Sequence, residues 1–203
     1  MPKRFVLIAS LLLAATALPA TANDSTYTDL DTDHCKTIGP EDEEGGGITL
    51  LCKGLKDYPV TFKEGDLRQS VFFGKLGKAY TEGAFETFGP FNHAGRKIEW
   101  RVDDKGVPVS AILRWFIENA DPDTGMPSEA LRGQVLVVSK VAQADGIGCI
   151  AGYVDALSNP ETNVLARQVA DEIAPGFKCA VDEALFHGKR GDRTSDPMRN
   201  FPQ

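Results

Sequence analysis

Hydrophobic and polar residues alternate over several segments of the chain, which is the pattern of β-strands that bury one face. In residues 97–102 the alternation places Ile98, Trp100 and Val102 on one side. Residues 134–141 are rich in β-branched residues, which favour strands. The pattern therefore predicts a domain built mainly of sheet, with hairpin turns between neighbouring strands.

A hairpin followed by a helix is predicted in the second half of the chain. Asp145-Gly146 is typical of hairpin turns, and residues 149–155 alternate as a partner strand would. Asn159 can then cap a helix over residues 160–174, in which Pro160 suits the first position. The apolar residues of that helix recur at intervals of four and predict one packed face. They are Leu165, Val169 and Ile173.

Residues 109–117 fit both a strand and a helix. Their apolar positions match one face of a helix, and they also alternate as in a strand. Turn-forming residues, 103–106, directly precede them. A short turn after the strand over 97–102 favours a hairpin, so the strand is the preferred interpretation and the helix stays open.

Together these elements predict an α+β fold, mainly antiparallel β-sheet with the helix over 160–174 packed on it. Residues 23–185 are predicted to form a single β-rich domain. Within it, residues 27–95 could form an N-terminal lobe and residues 96–185 a hairpin-helix unit. Residues 186–203 are polar and lack periodicity, which predicts a disordered tail.

The first 22 residues have the organisation of a secretory signal peptide. Lys3 and Arg4 form a positive start, residues 5–18 are apolar and uncharged, and residues 20–22 are small enough for cleavage. The apolar run has 14 residues, fewer than the roughly 20 that span a bilayer. We therefore expect cleavage before Asn23 and an exported chain without a transmembrane segment, either periplasmic or secreted.

The four cysteines fit structural disulfides in an exported protein. An even number of cysteines in an oxidising compartment indicates pairing, and four cysteines allow three pairings. We favour Cys35–Cys52 and Cys149–Cys179, because the members of each pair lie within one local unit. The sequence has no C-x-x-C motif, which disfavours zinc and redox chemistry.

The charge of the chain argues against two classes of partner. Removal of the predicted signal peptide would leave 20 basic and 29 acidic residues, a formal net charge of −9. Nucleic acids and anionic membrane surfaces attract basic faces, so neither is an expected partner. An envelope component or another protein is the kind of partner that we retain.

Two groups of residues are candidates for a binding surface. Aromatic side chains are common on carbohydrate- and peptide-binding surfaces, although they serve core packing more often. Arginines within or beside apolar strands could hold an anion or a carboxylate if they share a face, or each could pair with a nearby acid. The aromatic candidates are Tyr80, Phe85, Phe88, Trp100 and Trp115, and the arginines are Arg68, Arg101 and Arg114.

The sequence contains no catalytic or metal-binding motif. Its three histidines are scattered, and it has no H-E-x-x-H or G-x-S-x-G sequence. Acidic residues are available for a hydrolytic pair, but nothing selects two of them. They include Glu64, Asp66, Glu82, Glu86 and Glu99. We therefore predict no catalytic residue, no metal and no cofactor.

Five stretches of the chain carry a resemblance to other proteins. They are GDLRQSVFFG (65–74), IEWR (98–101), AILRW (111–115), CIAGYVDA (149–156) and ARQVAD (166–171). These stretches resemble those of uncharacterised exported proteins of alphaproteobacteria, over most of the chain after residue 22. The resemblance implies a Gram-negative periplasm and adds no activity, ligand or catalytic residue.

Three functional hypotheses follow from the sequence. The first is a non-enzymatic binding or envelope-interaction module, which rests on the missing catalytic signature and on the glycine- and aromatic-rich segment 74–95. The second is a cell-envelope hydrolase with a dispersed acidic or serine site. The third is an inhibitor of another enzyme that presents a disulfide-pinned loop such as residues 41–47.

Overall fold

The computed structural model describes residues 23–39 and 47–202 of the 203-residue chain. The predicted signal peptide and residues 41–46 of the predicted inhibitory loop lie outside the described residues. The described residues form strands and two α-helices. In chain order these are β1 (Asp24–Asp29), β2 (Lys36–Thr37), β3 (Ile48–Leu55), β4 (Tyr58–Gly65), β5 (Arg68–Phe73), α1 (Lys78–Gly83), β6 (Phe85–Phe88), β7 (Asn92–Val102), β8 (Pro108–Ile117), β9 (Gly133–Lys140), β10 (Cys149–Asp155), α2 (Thr162–Glu172), β11 (Leu185–His187) and β12 (Pro197–Asn200).

The strands assemble into a six-stranded sheet, a four-stranded sheet and a two-stranded pair. The larger sheet has the order β1-β7-β8-β9-β10-β11, and its neighbouring strands are antiparallel except β10 and β11. The smaller sheet has the order β2-β3-β4-β5, and β6 pairs with β12. Because α2 packs on the larger sheet, the fold is the predicted α+β class, mainly antiparallel sheet with a C-terminal helix.

Residues 109–117 belong to a strand, which was the preferred interpretation. β8 pairs with β7 on one side and β9 on the other, so that Leu113 lies opposite both Ile98 and Val137. The turn before β8 is held by Asp103, whose carboxylate accepts the backbone N–H of Val107 at 2.8 Å. The turn explains why residues 109–117 form a strand and not a helix, because it places β8 beside β7, where the two strands pair.

One face of the larger sheet is buried against the smaller sheet. Trp100, at 0% exposure, packs edge-on against Phe73 with the ring centroids 5.4 Å apart. Phe88 of β6 packs in the same way against Trp115 and Tyr153. Such edge-to-face pairs stabilise the fold beyond the burial of their area. We call the side of the sheet that carries Trp100, Trp115 and Tyr153 the closed face.

The opposite face of the larger sheet carries α2. The helix packs across β8, β9 and β10, and the hydroxyl of Ser110 on β8 donates to the carbonyl of Ala170 at 2.8 Å. Gly152 permits this close approach, because a Cβ there would lie 2.8 Å from Cγ1 of Val169. The predicted helix is therefore confirmed, although α2 begins two residues later and ends two residues earlier than residues 160–174. Of its predicted packed face only Val169 is fully buried, while Leu165 and Ile173 are half-buried. The other buried residues of α2 are Thr162, Ala166 and Ala170.

The predicted cap of this helix does not form. The side-chain amide of Asn159 donates to the carbonyls of Asp155 and Lys189, and its oxygen accepts the N–H of Lys189. Glu161 occupies the N-cap position without a side-chain hydrogen bond. Asn159 thus ties the C-terminal segment to the end of β10, a contact between distant residues that local capping rules do not anticipate.

Both predicted disulfides are present. Cys35–Cys52 joins the residue before β2 to β3, and Cys149–Cys179 joins β10 to the segment after α2. Closing loops of 17 and 30 residues stabilises the fold by about 3 to 4 kcal/mol each in the chain-entropy model. Among the residues that the structure describes, no helix is long and apolar enough to cross a membrane.

The prediction of a disordered tail is wrong for residues 186–202. β11 extends the larger sheet and β12 pairs with β6. Thr194 is 1% exposed, and Phe186 stacks on Tyr153 with the ring centroids 5.1 Å apart. The segment looks disordered in sequence because its order comes from hydrogen bonds, including those of the half-buried Arg199, and not from apolar periodicity.

Candidate functional site

Three of the five aromatic candidates lie in the core. Phe88, Trp100 and Trp115 are at most 1% exposed, so the prediction that they form a binding surface is wrong. The alternation in β7 and β8 points both tryptophans toward the smaller sheet and β6. Core packing therefore accounts for these three side chains.

The other two aromatic candidates are half-buried and lie apart from that core cluster. Tyr80 of α1 faces Phe201 with the ring centroids 6.3 Å apart, and burial raises the pKa of the Tyr80 hydroxyl. Phe85 lines a cleft of about 910 Å³ beside α1. Two carboxylates line the same cleft, but Glu64 accepts a hydrogen bond from Gln69 and Glu82 lies 3.7 Å from the ammonium group of Lys78. Lys63 also lines this cleft, but its ammonium group is held by hydrogen bonds to the carbonyls of Ala84 and Tyr80.

Two of the three predicted arginines are matched by acids. Arg68 on β5 pairs with Asp66 and lies over the ring of Phe91. Arg101 on β7 is 5% exposed and donates to both carboxylate oxygens of Asp171, at 2.9 and 2.6 Å. These two arginines follow the alternative interpretation, in which each pairs with a nearby acid.

Arg114 is the exception among the predicted arginines. It is half-buried on the face that carries α2, and its Nη1 donates to the side-chain oxygen of Gln134 at 3.0 Å. At this point α2 leaves part of the sheet uncovered, and a groove of about 370 Å³ opens. We call it the arginine groove. Its main lining residues are Arg96, Glu99, Arg114, Phe116, Leu136 and Arg167.

One wall of the arginine groove is a bulge in β7. The register of β7 against β8 shifts between Ala94 and Ile98, so residues 95–97 leave the regular pairing. Gly95 allows the bulge to lie against β8, because a Cβ there would be 3.1 Å from the carbonyl oxygen of Arg114. The bulge adds two exposed basic side chains to the groove, Arg96 and Lys97.

The opposite wall of the arginine groove is α2. Arg167 donates from Nε and Nη2 to the two oxygens of Glu99, at 2.5 and 3.2 Å, and from Nη2 to the hydroxyl of Tyr27 at 3.3 Å. Glu99 also accepts the hydroxyl of Ser25 at 2.5 Å. The bond to Glu99 raises the pKa of Arg167, so this arginine and its carboxylate form a matched pair on the wall.

The arginine groove is basic on a chain whose net charge is negative. Four cationic side chains line it, and Glu99 is the one carboxylate among its described lining residues. Lys97 and Arg167 are each paired with an acid. Arg96 and Arg114 have no carboxylate within 4 Å in the part of the chain that the structure describes. Because a guanidinium matches carboxylates and phosphates in a planar fork, the groove can receive an anion.

Sequence reasoning found one arginine of this groove and missed two. Arg96 was missed because it lies in a bulge, where the alternation of β7 breaks. Arg167 has the spacing of a solvent-facing helix residue, and nothing local shows that α2 sets it over the sheet. The one local signal of the bulge is Gly95 followed by two basic residues directly before the strand pattern.

A buried ion pair lies outside the arginine groove. Glu86 on β6 is 1% exposed and accepts hydrogen bonds from Nε of Arg199, at 2.7 Å, and from the N–H of Ile150, at 2.8 Å. Burial raises the pKa of Glu86 to about 7, against the opposing effect of Arg199. Arg199 also donates to the Ile150 carbonyl, so the pair fastens β12 to the domain.

Lys63 is a second buried charge with a structural role. Its Nζ donates to the carbonyls of Ala84 and Tyr80, at 2.6 and 3.4 Å, and the residue is 5% exposed. Burial lowers the pKa of Lys63 to about 8. Because those carbonyls end α1, the lysine closes the C-terminal end of this short helix.

The candidate site is therefore made of arginine and aromatic side chains. Residues 23–39 and 47–202 hold no group of three or more His, Cys, Asp or Glu side chains that could bind a metal ion. No family model, curated protein or solved structure matches this chain.

Proposed function

We propose that this chain is an exported, non-enzymatic binding module that holds an anionic ligand in the arginine groove. The observation that carries the proposal is Arg114, a half-buried guanidinium whose described hydrogen-bond partner is the neutral amide of Gln134. Charges attract more strongly in a partly buried site than in water, so a bound anion would stabilise this cation. Arg96, on the adjoining bulge, supplies a second cation.

Export is supported by the N-terminal sequence and by the disulfides. Residues 1–22 have the positive start, apolar run and small residues of a signal peptide. Disulfides such as Cys35–Cys52 and Cys149–Cys179 persist in oxidising compartments. The resemblance to exported proteins of alphaproteobacteria favours the periplasm among those compartments.

Binding without catalysis is favoured over the hydrolase hypothesis by the chemistry of the groove. General acid–base catalysis needs a group that exchanges a proton with the ligand. Glu99, the carboxylate of the groove, is held by Arg167 and Ser25. Glu86 has a pKa near neutrality, but it is buried on β6, outside the groove, and paired with Arg199.

Thermal unfolding in the presence of small anions tests the binding proposal. A panel of acetate, citrate, inorganic phosphate, sulfate and 4-phenylbutyrate is added to the wild type and to the variant Arg114→Gln. A ligand that binds only the folded state raises the Tm by an amount that grows with the ratio of its concentration to its Kd. We expect at least one anion to raise the Tm of the wild type and to lose that effect in Arg114→Gln.

The matched control is Arg193→Gln, which makes the same change of charge at an exposed arginine outside the groove. We expect this variant to respond to the panel as the wild type does. Equal Tm shifts in Arg114→Gln and in the wild type, or no shift with any anion, would contradict the proposal.

Cell fractionation tests the proposed export. We expect the protein in the periplasmic fraction, with Asn23 at its N-terminus and without free thiols before reduction. An unprocessed cytoplasmic protein with four free thiols would refute the export. The binding of an anion in the arginine groove is tested separately by the thermal unfolding experiment.

A further inference from the structure

We infer that the ligand of the arginine groove is a small amphipathic acid, a carboxylate attached to an apolar body. This inference rests on the proposed function and adds the chemical class of the ligand. It combines three properties of the groove, which are the position of its unmatched charge, the apolar character of its floor, and its size.

The unmatched positive charge lies on one side of the groove. Arg114 and the bulge residue Arg96 face the groove from β8 and β7, and the close contact of Gly95 with Arg114 keeps the bulge beside that side chain. On the helix side the charge of Arg167 is already matched by Glu99. The groove therefore offers one place for an anionic head.

The matched pair on the helix wall leaves the anionic head to the other side of the groove. The carboxylate of Glu99 is already paired with Arg167, so Arg114 is the half-buried cation that an anionic head would meet. A carboxylate fits because one guanidinium can bind its two oxygens in parallel.

The floor and sides of the groove between these charged groups are apolar. Ile112 and Leu136 form the floor, each 4% exposed, and the half-buried ring of Phe116 and the half-exposed ring of Tyr27 lie on the sides. The stems of the arginines extend this apolar surface. A ligand that fills the groove must therefore cover carbon surface as well as meet a guanidinium.

The volume of the groove limits the size of the ligand. Small-molecule sites are usually about 300 to 1,000 Å³, and the groove, at about 370 Å³, is at the lower end of that range. The part of a ligand that the groove can enclose is therefore about the size of an arylalkanoic acid.

Isothermal titration with four matched probes tests the ligand class. The probes are 4-phenylbutyrate, its neutral amide 4-phenylbutyramide, acetate and inorganic phosphate. We expect 4-phenylbutyrate to bind at least tenfold more tightly than each of the other three. We expect Arg114→Gln to weaken that binding at least tenfold, and Arg193→Gln to leave it unchanged.

The outcomes separate failure of the ligand class from failure of the proposed function. If acetate or phosphate binds as tightly as 4-phenylbutyrate and the binding depends on Arg114, the anion site stands and the amphipathic class is overturned. Equal binding of 4-phenylbutyramide overturns the need for a charged head. If no probe binds, the ligand class fails, and the thermal panel, which adds citrate and sulfate, decides the proposed function. If the probes bind but Arg114→Gln changes nothing, both the ligand class and the proposed function fail.

A membrane lipid is the competing source of an amphipathic anion. Flotation with phosphatidylglycerol vesicles distinguishes it from a free acid. We expect the protein to stay unbound to the vesicles. Vesicle binding that requires Arg114 and resists displacement by 4-phenylbutyrate would assign the groove to a lipid and overturn the inference.

Discussion

The two faces of the larger sheet are covered to different extents. The closed face lies under the smaller sheet and β6, and it buries Trp100, Trp115 and Tyr153 at 1% exposure or less. The other face is covered by α2, which has 11 residues and lies over β8, β9 and β10. Beyond the helix, Arg114 and Phe116 stay half-exposed in the arginine groove.

The difference shows how the covering element decides what a strand residue does. Trp115 and Arg114 are neighbours in β8, but alternation sends one under a sheet and the other to the edge of a helix. The smaller sheet and β6 exclude water from the closed face, where aromatic side chains pack. The single helix α2 leaves a strip of the other face in contact with water, where charged side chains stay hydrated. Binding chemistry is therefore expected on the helix side.

The largest effect should come from a substitution on the closed face. Trp100→Ala removes the ring that packs on Phe73, and we expect a loss of about 3 to 5 kcal/mol in the free energy of unfolding. Urea denaturation measures the loss. The control is Met126→Ala at a residue that is 65% exposed, where about 0.5 kcal/mol or less is expected. Equal effects of the two substitutions would contradict the comparison of the faces.

The buried ion pair beside the closed face should show the next largest effect. Arg199→Met leaves the Glu86 carboxylate buried without its partner, and we expect a loss of about 3 to 4 kcal/mol at pH 8. The double variant with Glu86→Leu should recover most of this loss, because no charge then stays buried. If the double variant is less stable than the single one in urea, the ion pair does not account for the attachment of β12.

On the helix side, the fold should depend on the close contact between α2 and β10 and not on large aromatic side chains. Gly152→Ala places a Cβ at 2.8 Å from Cγ1 of Val169, and we expect a loss of about 1 to 3 kcal/mol as α2 shifts outward. Gly176→Ala is the control, since an added Cβ meets nothing within 4 Å there. Thermal unfolding of both variants measures the difference, and a neutral Gly152→Ala would show that α2 is not seated on β10 as described.

A smaller effect is expected in the pH dependence of stability. Burial lowers the pKa of Lys63 in the folded protein to about 8, below its ordinary value of 10.5. The unfolded chain therefore binds more protons between these two values, and the lysine makes stability rise with pH across that window. We expect the rise, measured by urea denaturation from pH 8 to 10.5, to be smaller in Lys63→Met than in the wild type. Parallel pH profiles would exclude the shift.

The smallest effect on stability is expected in the arginine groove itself. Arg114 is half-buried and its described hydrogen-bond partner is Gln134, so Arg114→Gln should change the free energy of unfolding by about 0.5 kcal/mol or less. The same urea titrations provide the value. A loss as large as that of Trp100→Ala would mean that Arg114 holds the fold together rather than serving a ligand.

The fold was predictable where a pattern is local. The alternation of β7, the antiparallel pairing of β9 with β10 and the helix of α2 each follow from neighbours in sequence. The connection between β9 and β10 is longer than a two-residue hairpin, and Asp145-Gly146 lie in a turn that begins at Gln143. The cysteine pairs were predictable for the same reason, because each pair lies within one unit. The C-terminal strands were not predictable, because they depend on contacts between distant residues such as Arg199 and Glu86, which are 113 residues apart.

The candidate site was predictable only in part. The sequence marked Arg114 as one of three arginines near apolar strands, but it could not show which of them lacks an acid. Which arginine lacks an acid depends on the position of α2 on the sheet. The helix places Arg167 beside Glu99 and Asp171 beside Arg101. The prediction of an aromatic binding surface was wrong because alternation alone does not show which face of a sheet is covered by other elements.

The most direct test of the arginine groove is a map of backbone amide chemical shifts during titration with 4-phenylbutyrate. We expect saturable changes at Gly95, Arg114 and Leu136, and none at Trp100 on the closed face. Arg114→Gln should abolish the changes. Shifts centred on the closed face or on the cleft beside α1, or shifts that persist without Arg114, would contradict the claim that this groove is the binding site.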